Sequence, residues 1–90
     1  MTKNIPPVMN DVLNFKMKAI AANIRGKREY RNFTQEYLAL KLNISQNAYS
    51  KIELGYTKIT VERLFQIADI LEMDILDFIN IDTIQIVKAG

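Results

Sequence analysis

The stretch from Thr34 to Gly55 constrains the fold more than any other part of the sequence. Thr34 and Ser45 are residue types that cap helix N-termini, and each precedes a short segment with helical spacing of apolar residues. Asn43 and Gly55 follow the two segments, and both residue types tolerate the left-handed backbone conformation at a helix end. The pattern therefore predicts two short helices joined by a tight turn.

The predicted helices cover residues 35–42 and 46–54, and each has an apolar face and a polar face. The inward residues are Leu38, Ala39, Leu42, Ala48, Tyr49 and Ile52. Ala39 is small where the two helices must cross closely. The outward residues of the second helix are Gln46, Asn47, Ser50 and Lys51. A helix held outward in this way can enter the major groove of DNA and present polar side chains to base edges.

Three further helices are predicted around this pair. An apolar stripe with helical spacing precedes it, formed by Leu13, Met17, Ile20, Ala21 and Ile24. Because Pro6-Pro7 opposes an earlier start, Asn10 or Asn14 is the expected N-cap of this helix, and Asn32 its expected end. Thr60 and Asp74 are expected to cap two helices after the pair. The fold class is therefore all-α.

The chain divides into a single domain with two short flanking segments. Residues 1–9 are expected to form a flexible N-terminal arm, residues 10–79 the helical domain, and residues 80–90 a C-terminal tail. In the tail, Ile84 and Ile86 alternate with polar residues, which fits a short strand or an adhesive segment. Core filler and dimer contact are equally compatible with this pattern.

The composition excludes several classes of function. The chain has no cysteine and no histidine, which removes disulfides, thiolate chemistry, the commonest general base and the commonest metal ligand. With no nucleophile–base set and no phosphate loop, we predict no enzyme, no cofactor and no metal site. No apolar run reaches the roughly 18 residues of a membrane span, and the N-terminus lacks the apolar core of a secretory signal. A cytoplasmic protein is expected.

Charge is distributed unevenly along the chain. Residues 16–58 carry nine Lys or Arg and three Asp or Glu, a net charge of +6, whereas residues 59–90 carry two basic and six acidic residues, a net charge of −4. A basic region on a small domain favours a polyanionic partner such as nucleic acid.

The order of these residues resembles the phage repressor and Cro (XRE-like) helix-turn-helix family. The resemblance covers residues 20–79. The matching positions are Ile20, Ile24, Arg25 and Arg28, Phe33-Thr34-Gln35, Leu38-Ala39, Asn43-Ile44-Ser45, Ser50-Lys51-Ile52-Glu53, Gly55, Leu64, Ile67, Ala68, Leu71 and Asp77. Three positions depart from the family pattern: Lys27 replaces an apolar residue, Asn43 a glycine and Lys58 a common proline.

The resemblance implies a compact five-helix, lambda-repressor-like domain that binds double-stranded DNA sequence-specifically and regulates transcription, as a repressor. It places Gln46, Asn47, Ser50 and Lys51 at base edges. It places Gln35, Tyr56 and Lys58 at the DNA backbone, and it pairs Arg28 with Glu53 in an internal salt bridge. Tyr49 is expected in the core rather than stacked on a base.

Proteins of this type usually bind palindromic operators as two-fold dimers. A homodimer is therefore expected, with a contact that includes Phe78, Ile79, Ile81, Ile84 and Ile86. The alternative is a protein-interaction module on the same fold, such as an antitoxin or a coactivator-like bridging protein. The acidic second half and the apolar tail would suit that role.

Overall fold

The computed structural model describes residues 7–80, and this part of the chain contains five helices and no strand. In chain order they are α1 (Pro7–Tyr30), α2 (Gln35–Leu42), α3 (Gln46–Glu53), α4 (Val61–Leu71) and α5 (Ile75–Ile79). The predicted all-α, five-helix fold is confirmed. Among the described helices none is long and apolar enough to cross a membrane.

The start of α1 differs from the prediction. The helix begins at Pro7, so Asn10 and Asn14 lie inside it and neither is its N-cap. Proline fits the first position of a helix, because its missing N–H has no intrahelical partner there and its φ is already near the helical value. Residues 7–9 of the predicted arm are therefore helical, and the rest of that arm lies outside the described residues.

The other helices begin where the sequence places their caps. A side-chain oxygen of each cap accepts a backbone N–H from the first turn, at 3.0–3.1 Å. The pairs are Thr34 with Tyr37, Ser45 with Ala48, Thr60 with Arg63, and Asp74 with Leu76. These local signals fix the N-terminal boundaries of four helices.

The core lies where α1, α2, α3, α4 and α5 meet. Its largest fully buried side chains are Tyr49, Phe78, Ile24, Leu38, Ile67 and Leu71. Phe78 also anchors α5 to α1, because its carbonyl accepts a hydrogen bond from Asn23 Nδ2 at 2.8 Å. The prediction that Phe78 contributes to a dimer contact is therefore wrong, since its side chain is buried within its own chain. Of the other four predicted contact residues, Ile79 is exposed, and residues 81–90 lie outside the described part.

The apolar stripe of α1 is only partly buried. Ala21 and Ile24 lie in the core, whereas Leu13 and Met17 remain 43% and 36% exposed. The spacing correctly identifies a helix face, but the helices described here cover that face only from Ile20 onward.

Within residues 7–80, three non-glycine residues adopt a left-handed backbone conformation: Asn32, Asn43 and Glu72. Asparagine is suited to this conformation, as the sequence predicts for Asn43. Glu72 is not, because a Cβ in this region crowds the following carbonyl at a cost of about 1–2 kcal/mol. Glu72 ends α4 with φ 56° and ψ 50°.

Replacing Glu72 with glycine is expected to raise the free energy of unfolding by about 1 kcal/mol, because glycine adopts this conformation without strain. The Arg31–Glu72 ion pair, which the change removes, spans 3.4 Å at an exposed side chain and contributes little. Thermal unfolding should show a melting temperature about 4–8 °C higher. The matched control is Glu62→Gly in the first turn of α4, which should lower stability. An unchanged or lower melting temperature for Glu72→Gly would show that the cap is not strained.

Candidate nucleic-acid interface

The turn between α2 and α3 sets the angle at which α3 leaves the domain. Asn43 occupies it with φ 59° and ψ 45°, and Ile44 N–H donates to Ala39 O at 3.0 Å. Ala39 is buried at the crossing of the two helices. Its single methyl group lets α3 approach α2 closely, as the sequence indicates.

α3 separates its side chains cleanly into two faces. Tyr49, Ile52 and Glu53 are buried against the domain. Gln46, Asn47 and Lys51 are exposed, and Ser50 is half-buried beside them. These are the four residues predicted to read bases, and they lie together on the outer face of α3. Tyr49 belongs to the core, which confirms the structural role expected for it.

A buried carboxylate fixes the inner end of α3. Glu53 Oε2 lies 2.6 Å from Arg28 Nε, and Glu53 Oε1 lies 3.0 Å from Arg28 Nη2. The guanidinium therefore donates two parallel hydrogen bonds to the carboxylate. Tyr49 Oη donates to Oε2 at 2.5 Å and Gln35 Nε2 to Oε1 at 3.1 Å. Arg28, Gln35, Tyr49 and Glu53 are called the Glu53 cluster below.

The Glu53 cluster joins α1, α2 and α3, because side chains from all three helices donate hydrogen bonds to the Glu53 carboxylate. The Glu53 side chain is 2% exposed and that of Arg28 is 11% exposed. Arg28 Nη1 also donates to Phe33 O at 2.8 Å, which ties the end of α1 to the loop before α2. The outer face of α3 is therefore oriented by an ion pair beneath it.

The surroundings of the cluster shift the ionisation of its members. Burial alone would raise the pKa of Glu53, but hydrogen bonds from Arg28, Tyr49 and Gln35 and the charge of Arg28 hold it below its usual range. Burial raises the pKa of Tyr49 well above its ordinary value, and the hydrogen bond to Glu53 raises it further. The hydrogen bond to Glu53 raises the pKa of Arg28. The carboxylate is thus charged and the phenol neutral near pH 7.

The loop after α3 rests on α1. Gly55 has φ 79°, and a Cβ built there would lie 3.3 Å from Lys18 Cγ, so both the backbone conformation and the close approach favour glycine. Tyr56 and Lys58, two of the predicted backbone contacts, follow it and are exposed. Asn14 and Met17 of α1 line a hollow beneath this loop.

A concave surface, called the basic groove below, lies between α3, this loop and the start of α4. Its lining includes Asn47, Lys51, Lys58 and Arg63. No acidic residue is among the residues that line it in the described part of the chain. The groove brings two predicted site residues of α3 together with one from the loop.

Arg63 is a site residue that the sequence reasoning misses. It belongs to residues 59–90, which carry a net negative charge. Summing charge over this segment does not show that Arg63 lies beside the basic residues of α3 and the following loop. The one signal for it is its place three residues after the Thr60 cap, which puts it in the first turn of α4. That turn faces the basic groove.

Gln35 lies outside this groove in the structure. Its side-chain amide donates to Glu53 Oε1 at 3.1 Å, and it is only half-buried. Its backbone N–H opens α2, where unpaired N–H groups and the helix dipole attract anions. If Gln35 contacts the DNA backbone as the resemblance implies, its backbone N–H is at least as available for this contact as its side chain, which is hydrogen-bonded to Glu53.

The departures from the family pattern fit the structure. Lys27 is half-buried with its Nζ 5.3 Å from the centre of the Tyr30 ring, so its aliphatic stem packs while the ammonium group remains near solvent. Lys58 adds a positive charge to the basic groove where proline would add none. Neither change disturbs the outer face of α3.

Comparison with known families gives one match. A family model described as "Helix-turn-helix" matches residues 24–78, more than half of the chain. No curated protein and no solved structure matches the chain significantly. The matched region runs from Ile24 in the buried part of α1 to Phe78 in α5, and so includes α3, the Glu53 cluster and the basic groove.

Proposed function

Since the chain belongs to the XRE-like helix-turn-helix family of DNA-binding domains, we propose that it is a sequence-specific transcriptional repressor that reads the major groove with α3. The observation that carries this proposal is the joining of an exposed polar helix face to the basic groove. The polar face can discriminate base pairs, and the groove can hold the phosphates that flank them.

The outer face of α3 supplies the chemistry of direct readout. The amides of Gln46 and Asn47 can pair bidentately with adenine, and Lys51 can reach the acceptors on guanine. Ser50 offers a smaller hydroxyl donor and acceptor beside them. Gln46 and Asn47 occupy the first turn of α3, which is the part of a recognition helix that meets base edges.

The basic groove and two nearby elements supply the contacts to the DNA backbone. Lys58 and Arg63 provide positive charge on long side chains, and Tyr56 provides an exposed hydroxyl. The N-terminus of α2 at Gln35 adds backbone donors. Such contacts set the register of a protein on DNA but carry no sequence information directly. Occupancy of a promoter by such a domain excludes other proteins, so repression needs no further activity.

Selection of bound duplexes from a random pool tests this function directly. We expect enrichment of one motif, arranged as an inverted repeat with half-sites about 34 Å apart. The alternative, an adaptor that only holds protein partners, predicts no enriched motif and little salt-dependent binding to random DNA. That result would overturn the proposal.

We further propose that two copies bind each operator, because one recognition helix reads only a few base pairs. Phe65, Leu76 and Ile79 are exposed apolar residues on α4 and α5 and can contribute to an interface between copies. Sedimentation with a palindromic duplex should show two chains per duplex. A duplex with one half-site should bind about 100-fold or more weakly, because only one recognition helix can then engage its bases. Equal affinity for the half-site and the palindrome would contradict the dimer.

A further inference from the structure

The loop that follows α3 has a concave surface on each side. Thr57, Lys58 and Ile59 line the basic groove on one side and the hollow against α1 on the other. The α1 part of that hollow includes Asn14 and Met17. The loop therefore forms a ridge, with α3 and the start of α4 on one side of it and α1 on the other.

Lys18 of α1 packs against the first residue of this loop. A Cβ built at Gly55 would lie 3.3 Å from Lys18 Cγ and 3.9 Å from Lys18 Cα, so α1 approaches the loop where the loop has no side chain. The Lys18 residue is nevertheless exposed, and within residues 7–80 it forms no ion pair. The aliphatic stem of Lys18 thus lies against the loop while its charge stays in solvent without an acidic partner.

Lys18 and Lys58 lie close enough together to meet one DNA strand. Gly55, which Lys18 approaches, is three residues from Lys58, so at most about 11 Å of extended chain separates the two loop residues. A strand of duplex DNA presents one phosphate for about every 3.4 Å of helix axis. A strand that passes over the loop therefore offers separate phosphates to the two ammonium groups.

Position around α1 distinguishes Lys18 from its neighbour Lys16. Lys18 follows Asn14 by four residues, so the two share the side of α1 that meets the loop. Lys16 is also exposed, but it lies about 160° around the helix from Lys18. Two lysines of the same helix thus differ in whether they lie beside the DNA-binding loop.

We propose that Lys18 is a further contact to the DNA backbone, which neutralises a phosphate on the α1 side of the loop while Lys58 holds one on the groove side. This inference rests on the proposed DNA-binding function and extends the binding surface to α1. Contacts on both sides of the loop set the position of the domain on the duplex. Because Lys18 meets only phosphate, its contribution is the same on every sequence.

Replacing Lys18 with glutamine tests this contact, because glutamine keeps the Cγ that packs against Gly55 and removes the charge. We expect Lys18→Gln to weaken binding to a random-sequence duplex and to the selected operator alike, by about five- to tenfold at about 0.1 M salt. The slope of log affinity against log salt should become shallower by about 0.9, and by about 1.8 when Lys58→Ala is added. Lys18→Arg should keep the wild-type slope. The matched control is Lys16→Gln, which should keep the wild-type affinity and slope.

Chemical acetylation of lysines, followed by mass spectrometry, provides a second measurement on the unsubstituted chain. Saturation with a random-sequence duplex should slow acetylation of Lys18 and Lys58, because a phosphate then covers each ammonium group, and should leave the rate at Lys16 unchanged. Equal protection of Lys16 and Lys18 would contradict a contact specific to the loop side of α1.

Failure of this inference is distinguishable from failure of the proposed function. If Lys58→Ala makes the salt slope shallower but Lys18→Gln behaves as Lys16→Gln does, DNA binding stands and the α1 contact is wrong. If Lys18→Ala, which also removes Cγ, weakens binding while Lys18→Gln does not, Lys18 only supports the loop, and the contact is again wrong. If the wild-type chain binds neither duplex, both proposals are wrong.

Discussion

Replacing Glu53 with alanine is expected to lower the free energy of unfolding by about 3 kcal/mol. The change leaves the nearly buried guanidinium of Arg28 without its carboxylate, and it also removes the acceptor of Tyr49 and of Gln35. Removing one partner of a buried pair costs about 3–5 kcal/mol, and the slight exposure of Arg28 favours the lower end. Thermal unfolding should show a melting temperature about 12–24 °C lower.

The matched control is Glu29, which forms an ion pair with Arg25 at 3.1 Å and lies 3.9 Å from Arg28, but is 53% exposed. Glu29→Ala should change stability by less than about 1 kcal/mol. Arg28→Ala should resemble Glu53→Ala, and the double variant should be destabilised by less than the sum of the two single effects. Additive effects, or a Glu53→Ala effect as small as that of Glu29→Ala, would contradict the role of the cluster.

The same carboxylate gives stability a defined dependence on acid. The folded-state pKa of Glu53 is depressed because the hydrogen bonds and charge of its partners outweigh burial, so the unfolded chain takes up the proton first as pH falls. Its contribution is therefore complete above the unfolded pKa, about 4.3, and is lost as pH falls through the folded pKa. Glu53→Gln should show a flatter decline of stability below pH 5.

Gln46→Ala and Asn47→Ala are each expected to weaken binding to the selected operator by about 1–3 kcal/mol, or roughly 5- to 150-fold, and to change binding to random DNA little. Both residues are neutral and exposed on the outer face of α3. If they read bases as proposed, their replacement removes hydrogen bonds to bases and leaves the number of counterions released on binding unchanged. The slope of log affinity against log salt should stay near that of the wild type.

Lys58→Ala and Arg63→Ala should behave in the opposite way. Each removes a positive charge from the basic groove, so operator and random DNA should be weakened alike. The salt slope should become shallower by about 0.9 for each phosphate that is no longer neutralised. Lys27→Ala is the matched control, because Lys27 lies beside Tyr30 and Asp77 and not in the groove.

Measuring how these variants bind to both duplexes at several salt concentrations distinguishes residues that contact bases from residues that contact phosphates. If Gln46→Ala and Asn47→Ala weaken random DNA as much as the operator, or affect neither, the outer face of α3 is not the reading surface. If Lys27→Ala changes the salt slope as much as Lys58→Ala does, the groove has no special part in holding phosphate.

The sequence predicts most of this fold because its decisive signals are local. A cap such as Thr34 or Ser45 acts on N–H groups three residues away, and Asn43 determines its own turn. Such interactions depend little on the rest of the chain, so the starts of α2, α3 and α4 follow from residue types and spacing. The outer face of α3 follows in turn from its apolar inner face.

The predictions from sequence are incomplete or wrong for α1, where burial and the first helical residue depend on distant parts of the chain. Spacing shows that Leu13 and Met17 share a face with Ile24, but it does not show how far the packing helices extend along α1. Pro7 opposes helix in the interior of a segment, yet it is also a favourable first residue of a helix, and residue type alone does not decide between the two.

Other features need three-dimensional neighbours. The family resemblance suggests that Arg28 and Glu53 pair, but the additional donors Tyr49 and Gln35 depend on where three helices bring their side chains. Arg63 joins Lys58 only because α4 folds back beside the loop after α3.

The position of the Glu53 cluster beneath α3 means that loss of regulation has two physically different origins. Substitutions in the cluster weaken the fold and the presentation of the reading surface together, so the resulting alleles would be heat-sensitive and partly rescued by growth in the cold or by excess protein. Substitutions at Gln46 leave the domain intact, and their defect would persist at every temperature. If two copies bind each operator, as proposed, an intact but non-reading chain would still pair with wild-type copies, and such alleles would be dominant where the unfolded ones are recessive.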